Sequence, residues 1–288
     1  MINNKKIIWL ASYPKSGNTW FRIFLANLFS GSDKPIDINE LRETSIASNR
    51  QMFDEVAGIA SSDLTKQEIE NLRPLVYEKL AENSNQPIFL KIHDAFINTS
   101  ENKPLVSENA SLKAVYIIRN PLDIAVSFAH HLGVTYEKSV RILCNNNYAF
   151  CKKNNKLHNQ LEQKLFSWSG HVKSWTHQTV LPVIVLRYED MLADTYFYFL
   201  KALEFLELKF DNEIINKAIE NSAFSELQKQ EKEFGFREKA PETELFFRKG
   251  QYGNWRKELP RPLVNRIISR HFEIMELFDY IDKQGKPK

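Results

Sequence analysis

Residues 7–28, IIWLASYPKSGNTWFRIFLANL, constrain the chain more than any other stretch. Ile7-Ile8-Trp9-Leu10-Ala11 is continuously apolar and has the length of a buried strand. Ser12-Tyr13-Pro14-Lys15-Ser16-Gly17 breaks that pattern. From Asn18 the apolar residues Trp20, Phe21, Phe24, Leu25 and Leu28 return at helical spacing. A strand, a tight loop and a helix N-terminus in that order make an anion site. Unsatisfied backbone N–H groups converge there with the positive end of the helix dipole. Lys15 adds a full charge, and Ser16 and Thr19 add hydroxyl donors. The stretch therefore predicts a phosphate loop opening an α/β domain, against the plainer reading of a strand–turn–helix corner with a surface lysine. A nucleoside-triphosphate loop of the G-x-x-x-x-G-K-[ST] type is disfavoured. Trp9 and Pro14 stand where its glycines belong, and Gly17 falls after the lysine.

Three further apolar runs have strand length. Residues 87–94, PIFLKIHD, read as a strand that delivers Lys91 and His93 to one face at its C-terminal end. Ligands of open α/β sheets gather beyond such ends. A histidine there can take a proton near neutral pH, although a hydrogen-bonded strand end is the default for a lone His. Residues 113–118, KAVYII, run into Arg119-Asn120-Pro121 and a helix start, with Ser127 about two turns in. The planar fork of Arg119 suits a terminal phosphate, and a surface salt bridge is its plain alternative. Residues 183–187, VIVLR, lead into Tyr188-Glu189-Asp190-Met191.

Between these runs the pattern is helical or irregular. Residues 36–63 read as loops and short helices. Thr65-Lys66-Gln67-Glu68 is a capping box opening a helix, with a kink or restart at Pro74. Residues 134–156 read as a helix fragment and a polar loop. Leu157, Leu161, Leu165, Trp168, Val172 and Trp175 mark one long amphipathic helix. Residues 195–206 read as a buried helix, Asp211 as the cap of the next, and residues 228–246 as a mobile loop over the site. A final helix is expected over residues 262–278.

With 288 residues and no linker-like segment, a single domain over 1–288 is expected, with its core at about 7–255. A net charge of +3, from 39 basic and 36 acidic residues, implies no nucleic-acid or membrane field. The apolar run near the N-terminus is too short for a signal peptide or a membrane span. Cys144 and Cys151 lack metal spacing and read as reduced thiols, and His130 and His131 also lack ligand spacing, so no metal is expected.

Taken together, YPKSGNTW, KIH, RNPLDIAVS, YEDM and RKG resemble, in order, the motifs of sulfotransferases that use 3′-phosphoadenosine 5′-phosphosulfate (PAPS). The resemblance runs from about Ile7 to Trp255. It implies a three-layer α/β/α fold around a mainly parallel sheet, with a P-loop-like phosphosulfate loop. It also implies a soluble, cytoplasmic enzyme that transfers a sulfuryl group from PAPS to the hydroxyl of a small-molecule acceptor, leaving adenosine 3′,5′-bisphosphate (PAP), with no metal required. In that reading His93 is the general base, and Lys15 and Lys91 offset charge on the leaving oxygen. Ser16, Gly17, Asn18 and Thr19 hold the 5′-phosphate. Arg119, Ser127, Arg248, Lys249 and Gly250 hold the 3′-phosphate, and Trp20, Tyr188, Ser222 and Phe224 lie around the adenine. Departures from the motifs are Asn18 for a usual Thr, Ala223 within Ser222-Ala223-Phe224, and Asn254 for an Asp. The segment that carries dimerisation in many members is not recognisable in residues 256–261, so the oligomeric state is open. Two other readings are an ATP-dependent P-loop kinase and an inactive nucleotide-binding protein. The acceptor, whether phenol, alcohol, lipid or glycoside, is not legible.

Overall fold

The computed structural model describes residues 6–41, 43–152, 157–240 and 243–288. In chain order the elements are β1 (Ile7–Ser12), α1 (Asn18–Ser30), β2 (Thr44–Ile46), α2 (Arg50–Ala57), α3 (Lys66–Glu82), β3 (Ile88–Ile92), β4 (Ser111–Ile118) and α4 (Pro121–Leu132). There follow α5 (Tyr136–Leu143), β5 (Ala149–Phe150), β6 (Gln163–Lys164), α6 (Trp168–Thr176), β7 (Val183–Arg187), α7 (Tyr188–Ala193) and α8 (Thr195–Phe205). The chain ends through α9 (Asn212–Asn221), α10 (Phe224–Phe234), α11 (Trp255–Glu258) and α12 (Arg261–Leu277). It forms two compact units. One holds the chain through Tyr13, with Glu43–Tyr116 and Asn146–Val185. The other holds Pro14–Arg42, Ile117–Asn145 and Leu186–Lys288.

The first unit is built on a five-stranded sheet of order β2-β3-β1-β4-β7, and the chain passes to the second unit near the ends of β4 and β7. Every residue of β1 is buried, which is why its sequence is a continuous apolar run rather than an alternating one. β1 pairs in parallel with β3, Ile7 opposite Ile88 through Ala11 opposite Ile92. β2 runs parallel to β3 on its other side. Trp9 is fully buried, donates Nε1–H to Ser111 Oγ at 2.7 Å, and meets the Tyr77 ring edge-on at 5.0 Å. The capping box at Thr65 and Glu68 is present, and α3 continues through Pro74 as one helix instead of restarting.

The long helix expected from Leu157 does not form. Residues 163–164 are strand β6, paired antiparallel with β5, and α6 begins only at Trp168 with Ser167 Oγ accepting from Gly170 N–H. Phe166 takes a φ of 62°, outside any helix, and Leu157 is 66% exposed. The short edge strand β2, inside the stretch read as loops, was not expected.

The second unit packs α1 against α8 and α9. Phe24 and Phe199 lie 4.3 Å apart between ring centroids, and Phe21 meets Phe199 at 5.3 Å. Arg22 is buried and pairs with Glu238 at 2.7 Å. α4 starts as its sequence predicts, with Asn120 Oδ1 accepting from Leu122 N–H and Pro121 in the first turn. The mobile loop expected at 228–246 is in its first third helix α10, not loop. The final helix ends at Leu277, one residue short of expectation.

Candidate functional site

In the second unit, α1 opens without a side-chain cap and without an acidic residue in its first turn. Its N-cap, Gly17, has φ 102°, and Lys15 also sits in the left-handed region at φ 69°. Few non-glycine residues adopt that region, and alternating handedness turns successive N–H groups toward one point. The hydroxyl of Ser16 is buried and has no hydrogen-bond partner. A buried, unpaired donor beside uncapped helix N–H groups fits a bound phosphate. A Cβ at Gly17 would stand 2.6 Å from Tyr188 Cδ2. Gly17→Ala should therefore lower stability by about 1–3 kcal/mol through strain alone, read from the urea unfolding midpoint.

Arg119 fastens this loop. Its Nη1 donates to the Lys15 carbonyl and its Nη2 to the Gln251 carbonyl, each at 3.0 Å. The guanidinium lies 4.3 Å over the Tyr188 ring, and Nε is buried without a partner. The Lys15 ammonium lies 3.7 Å over Phe246. Trp20 donates Nε1–H to the Ser222 carbonyl at 3.1 Å and meets Tyr188 edge-on at 6.1 Å. The Ser222 hydroxyl is turned away, bonded to the Ile219 carbonyl. Phe224 covers Gly250 so closely that a Cβ there would lie 2.4 Å from its ring. Residues 15–20, Arg119, Tyr188, Ser222, Phe224 and Gly250 are thus joined by direct contacts within one unit. Ser127 sits half-buried on α4.

Residues not assigned to the nucleotide hold this arrangement. Asp123, in the first turn of α4, accepts from Gly253 N–H at 2.7 Å and Trp255 N–H at 3.3 Å. Gln228 donates to the Phe247 and Arg248 carbonyls, and Glu231 accepts from the N–H groups of Phe246 and Phe247. Arg248 and Lys249 converge on Glu258.

In the first unit, His93 follows β3 as Ser12 ends β1, and the register brings them together. His93 Nδ1 lies 2.8 Å from the Ser12 carbonyl oxygen. A carbonyl only accepts, so Nδ1 carries a proton, and in the neutral ring the lone pair is on Nε2. His171 donates Nε2–H to the His93 carbonyl at 3.1 Å, and its Nδ1 accepts from the Tyr116 hydroxyl at 2.8 Å. Next along, Asp94 receives two bonds from Arg73, at 3.0 and 2.7 Å, and its carbonyl accepts from Trp175 Nε1 at 2.9 Å. Lys91 is nearly buried in β3, and its carbonyl accepts from Ala47 N–H.

Burial pushes His171 down to about 4, outweighing its bonds with the backbone of His93 and Asp94. It is neutral in the folded protein at neutral pH. The unfolded chain takes up a proton at this residue near pH 6.5 that the folded chain refuses until about pH 4. Stability should therefore fall as pH drops through that window, by up to ~1.4 kcal/mol per pH unit from this residue. Denaturant midpoints of the protein and of His171→Gln at pH 7 and pH 5 check this, since the variant should lose that share of the slope.

A sequence model of the sulfotransferase domain matches residues 5–279, and the chain belongs to this family. Human sulfotransferase 1E1 is 27% identical over 273 residues, covering 92% of this chain and 81% of that protein. Cytosolic sulfotransferase 13 of Arabidopsis thaliana is 24% identical over 290 residues, covering 90% and 74%. Two solved structures share the fold. Retinol dehydratase in complex with androsterone and the inactive cofactor PAP has a TM-score of 0.60 at 18% identity, over 94% of this chain and 80% of that one. Mouse sulfotransferase SULT7A1 complexed with PAP has a TM-score of 0.58 at 20% identity, over 96% and 85%. The α/β/α class built on a mainly parallel sheet is therefore as the sequence implied. Among the described residues no helix is long and apolar enough to cross a membrane, and no group of His, Cys, Asp or Glu side chains could hold a metal.

Proposed function

We propose that this protein transfers the sulfuryl group of PAPS to a hydroxyl of a small-molecule acceptor in the cytoplasm. The observation that carries the reading is the phosphate loop, with its uncapped helix N-terminus, its buried and unpaired Ser16 hydroxyl and the fastening Arg119. PAP in the solved relatives and the cytosolic name of the plant relative support the donor and the compartment. PAPS supplies a sulfuryl group carried on a phosphate leaving group. Backbone N–H groups and hydroxyls of Ser16 to Thr19, with Gly17 and Asn18 between them, hold the 5′-phosphate. Lys15, aided by Lys91, offsets the negative charge of the departing phosphate oxygen. Arg119, Ser127, Arg248, Lys249 and Gly250 hold the 3′-phosphate. Trp20, Tyr188 and Phe224 flank the adenine, and Ser222 serves through its carbonyl, which fixes Trp20. His93 takes the acceptor's hydroxyl proton at Nε2, the nitrogen that the Ser12 carbonyl leaves unprotonated.

Calorimetric titration of PAP into metal-free protein, beside ATP with Mg²⁺, tests the donor. Tight binding of PAP and weak binding of ATP are expected, and the reverse would assign the site to a kinase. Arg248→Ala should weaken PAP by about 10- to 100-fold while leaving adenosine 5′-monophosphate within twofold, as expected for a lost charge-assisted bond to the 3′-phosphate.

A further inference from the structure

Four side chains converge on the carboxylate of Glu258, at the end of α11. Lys249 Nζ lies 2.7 Å from Oε1, Arg248 Nη1 lies 3.3 Å from Oε2, and the Tyr136 hydroxyl donates to Oε2 at 3.0 Å. His130 Nε2 is 3.3 Å from the same oxygen. Burial alone would push this carboxyl up, but the bonds from Lys249 and His130, the charge of Arg248 and the Tyr136 hydroxyl bring it down to about 2. It is an anion at any working pH.

Its placement gives that anion a consequence. Asp123, Ser127 and His130 follow one another at helical spacing along one face of α4. Asp123 holds the backbone of Gly253 and Trp255, and His130 meets Glu258. Ser127 lies on that face between the two anchors. The two cations assigned to the 3′-phosphate thus lie against a negative charge that belongs to the protein itself.

We propose that Glu258 is an internal competitor of the 3′-phosphate, a carboxylate that keeps Arg248 and Lys249 in place and lowers the affinity of the cradle for bisphosphate nucleotides. This rests on the assignment of Arg248 and Lys249 to the 3′-phosphate. A phosphate bound by these cations must share them with the carboxylate and is repelled by it at short range, where salt screens least. Bisphosphate product then leaves the cradle faster than the number of cations alone would allow.

Glu258→Gln keeps the shape and removes only the charge. At low salt it should bind PAP about tenfold more tightly by calorimetry, with adenosine 5′-monophosphate unchanged within twofold. Glu258→Ala, which introduces no amide, should change PAP affinity in the same direction. Equal or weaker PAP binding in both variants, or a gain shared equally by the monophosphate, would overturn the proposal and make Glu258 a support for the two cations. Arg248→Ala separates the two levels. If it leaves the preference for PAP over the monophosphate intact, the phosphate assignment itself is wrong. If it abolishes that preference while the Glu258 variants gain nothing, only the competitor role fails.

Discussion

Replacing His93 by glutamine should reduce kcat by about 10²–10⁴ while leaving PAP affinity within twofold. The glutamine amide can donate to the Ser12 carbonyl as Nδ1–H does, so the strand end keeps its shape. What it lacks is a basic lone pair. In the native protein that lone pair is fixed on Nε2, because the 2.8 Å contact with a carbonyl commits Nδ1 to carrying the proton. The His171 bond to the His93 carbonyl holds the same residue from its backbone side. Steady-state rates with PAPS and a hydroxyl acceptor, with calorimetry on the same preparations, make the comparison. A folded His93→Gln protein turning over at near the native rate would falsify the assignment of the base.

The largest expected loss of stability comes one residue further on. Asp94→Ala should destabilise the protein by about 3–5 kcal/mol, because it strands the Arg73 guanidinium without its counter-charge. The Arg73 and Asp94 side chains are 3% and 1% exposed, so water cannot take the place of the missing carboxylate. Arg73 also donates to the Tyr77 hydroxyl and the Glu162 carbonyl, which occupies two more of its five N–H groups but leaves its charge uncompensated. Urea unfolding at an unchanged slope measures the effect. A loss under about 1 kcal/mol would show that Arg73 finds other compensation. Replacing both residues together by apolar ones of similar volume should recover much of the loss, since an apolar pair carries no desolvation cost.

What the sequence made legible follows from where the fold relies on apolar pattern. β1, β3, β4 and β7 were readable as apolar runs, and the loop after β1 by its Lys, Gly and hydroxyl residues. α10 was not readable, because its buried face is Leu227, Gln230 and Glu231. Two of these are polar, and they are buried because they serve backbone N–H groups of neighbouring loops: Gln230 that of Ile38, and Glu231 those of Phe246 and Phe247. Hydrophobic periodicity has no sight of such a face. The opposite error occurred at Leu157, Leu161 and Leu165. Their four-residue spacing imitates a helix, but Leu161 and Leu165 are buried from non-helical chain, and Phe166 at φ 62° breaks any continuation. β2 has three residues, too few for a period to register. The cradle's cations could be listed from motifs, whereas the bonds of Glu258 to His130 and of Asp123 to Gly253 span more than 100 residues, which no local pattern encodes.

The reach of Arg119 bears on how the protein is made. One guanidinium ties the carbonyl of Lys15 to that of Gln251. A ribosome producing about 5–20 residues per second finishes the loop at Lys15 tens of seconds before the segment at Gln251 exists. For that interval an electropositive loop and an uncapped helix end face solvent without the residues that later fasten them. If the proposed site is right, nucleotide binding awaits the C-terminal part of the chain, and retention of a PAP analogue by stalled ribosomes would date the moment of its completion.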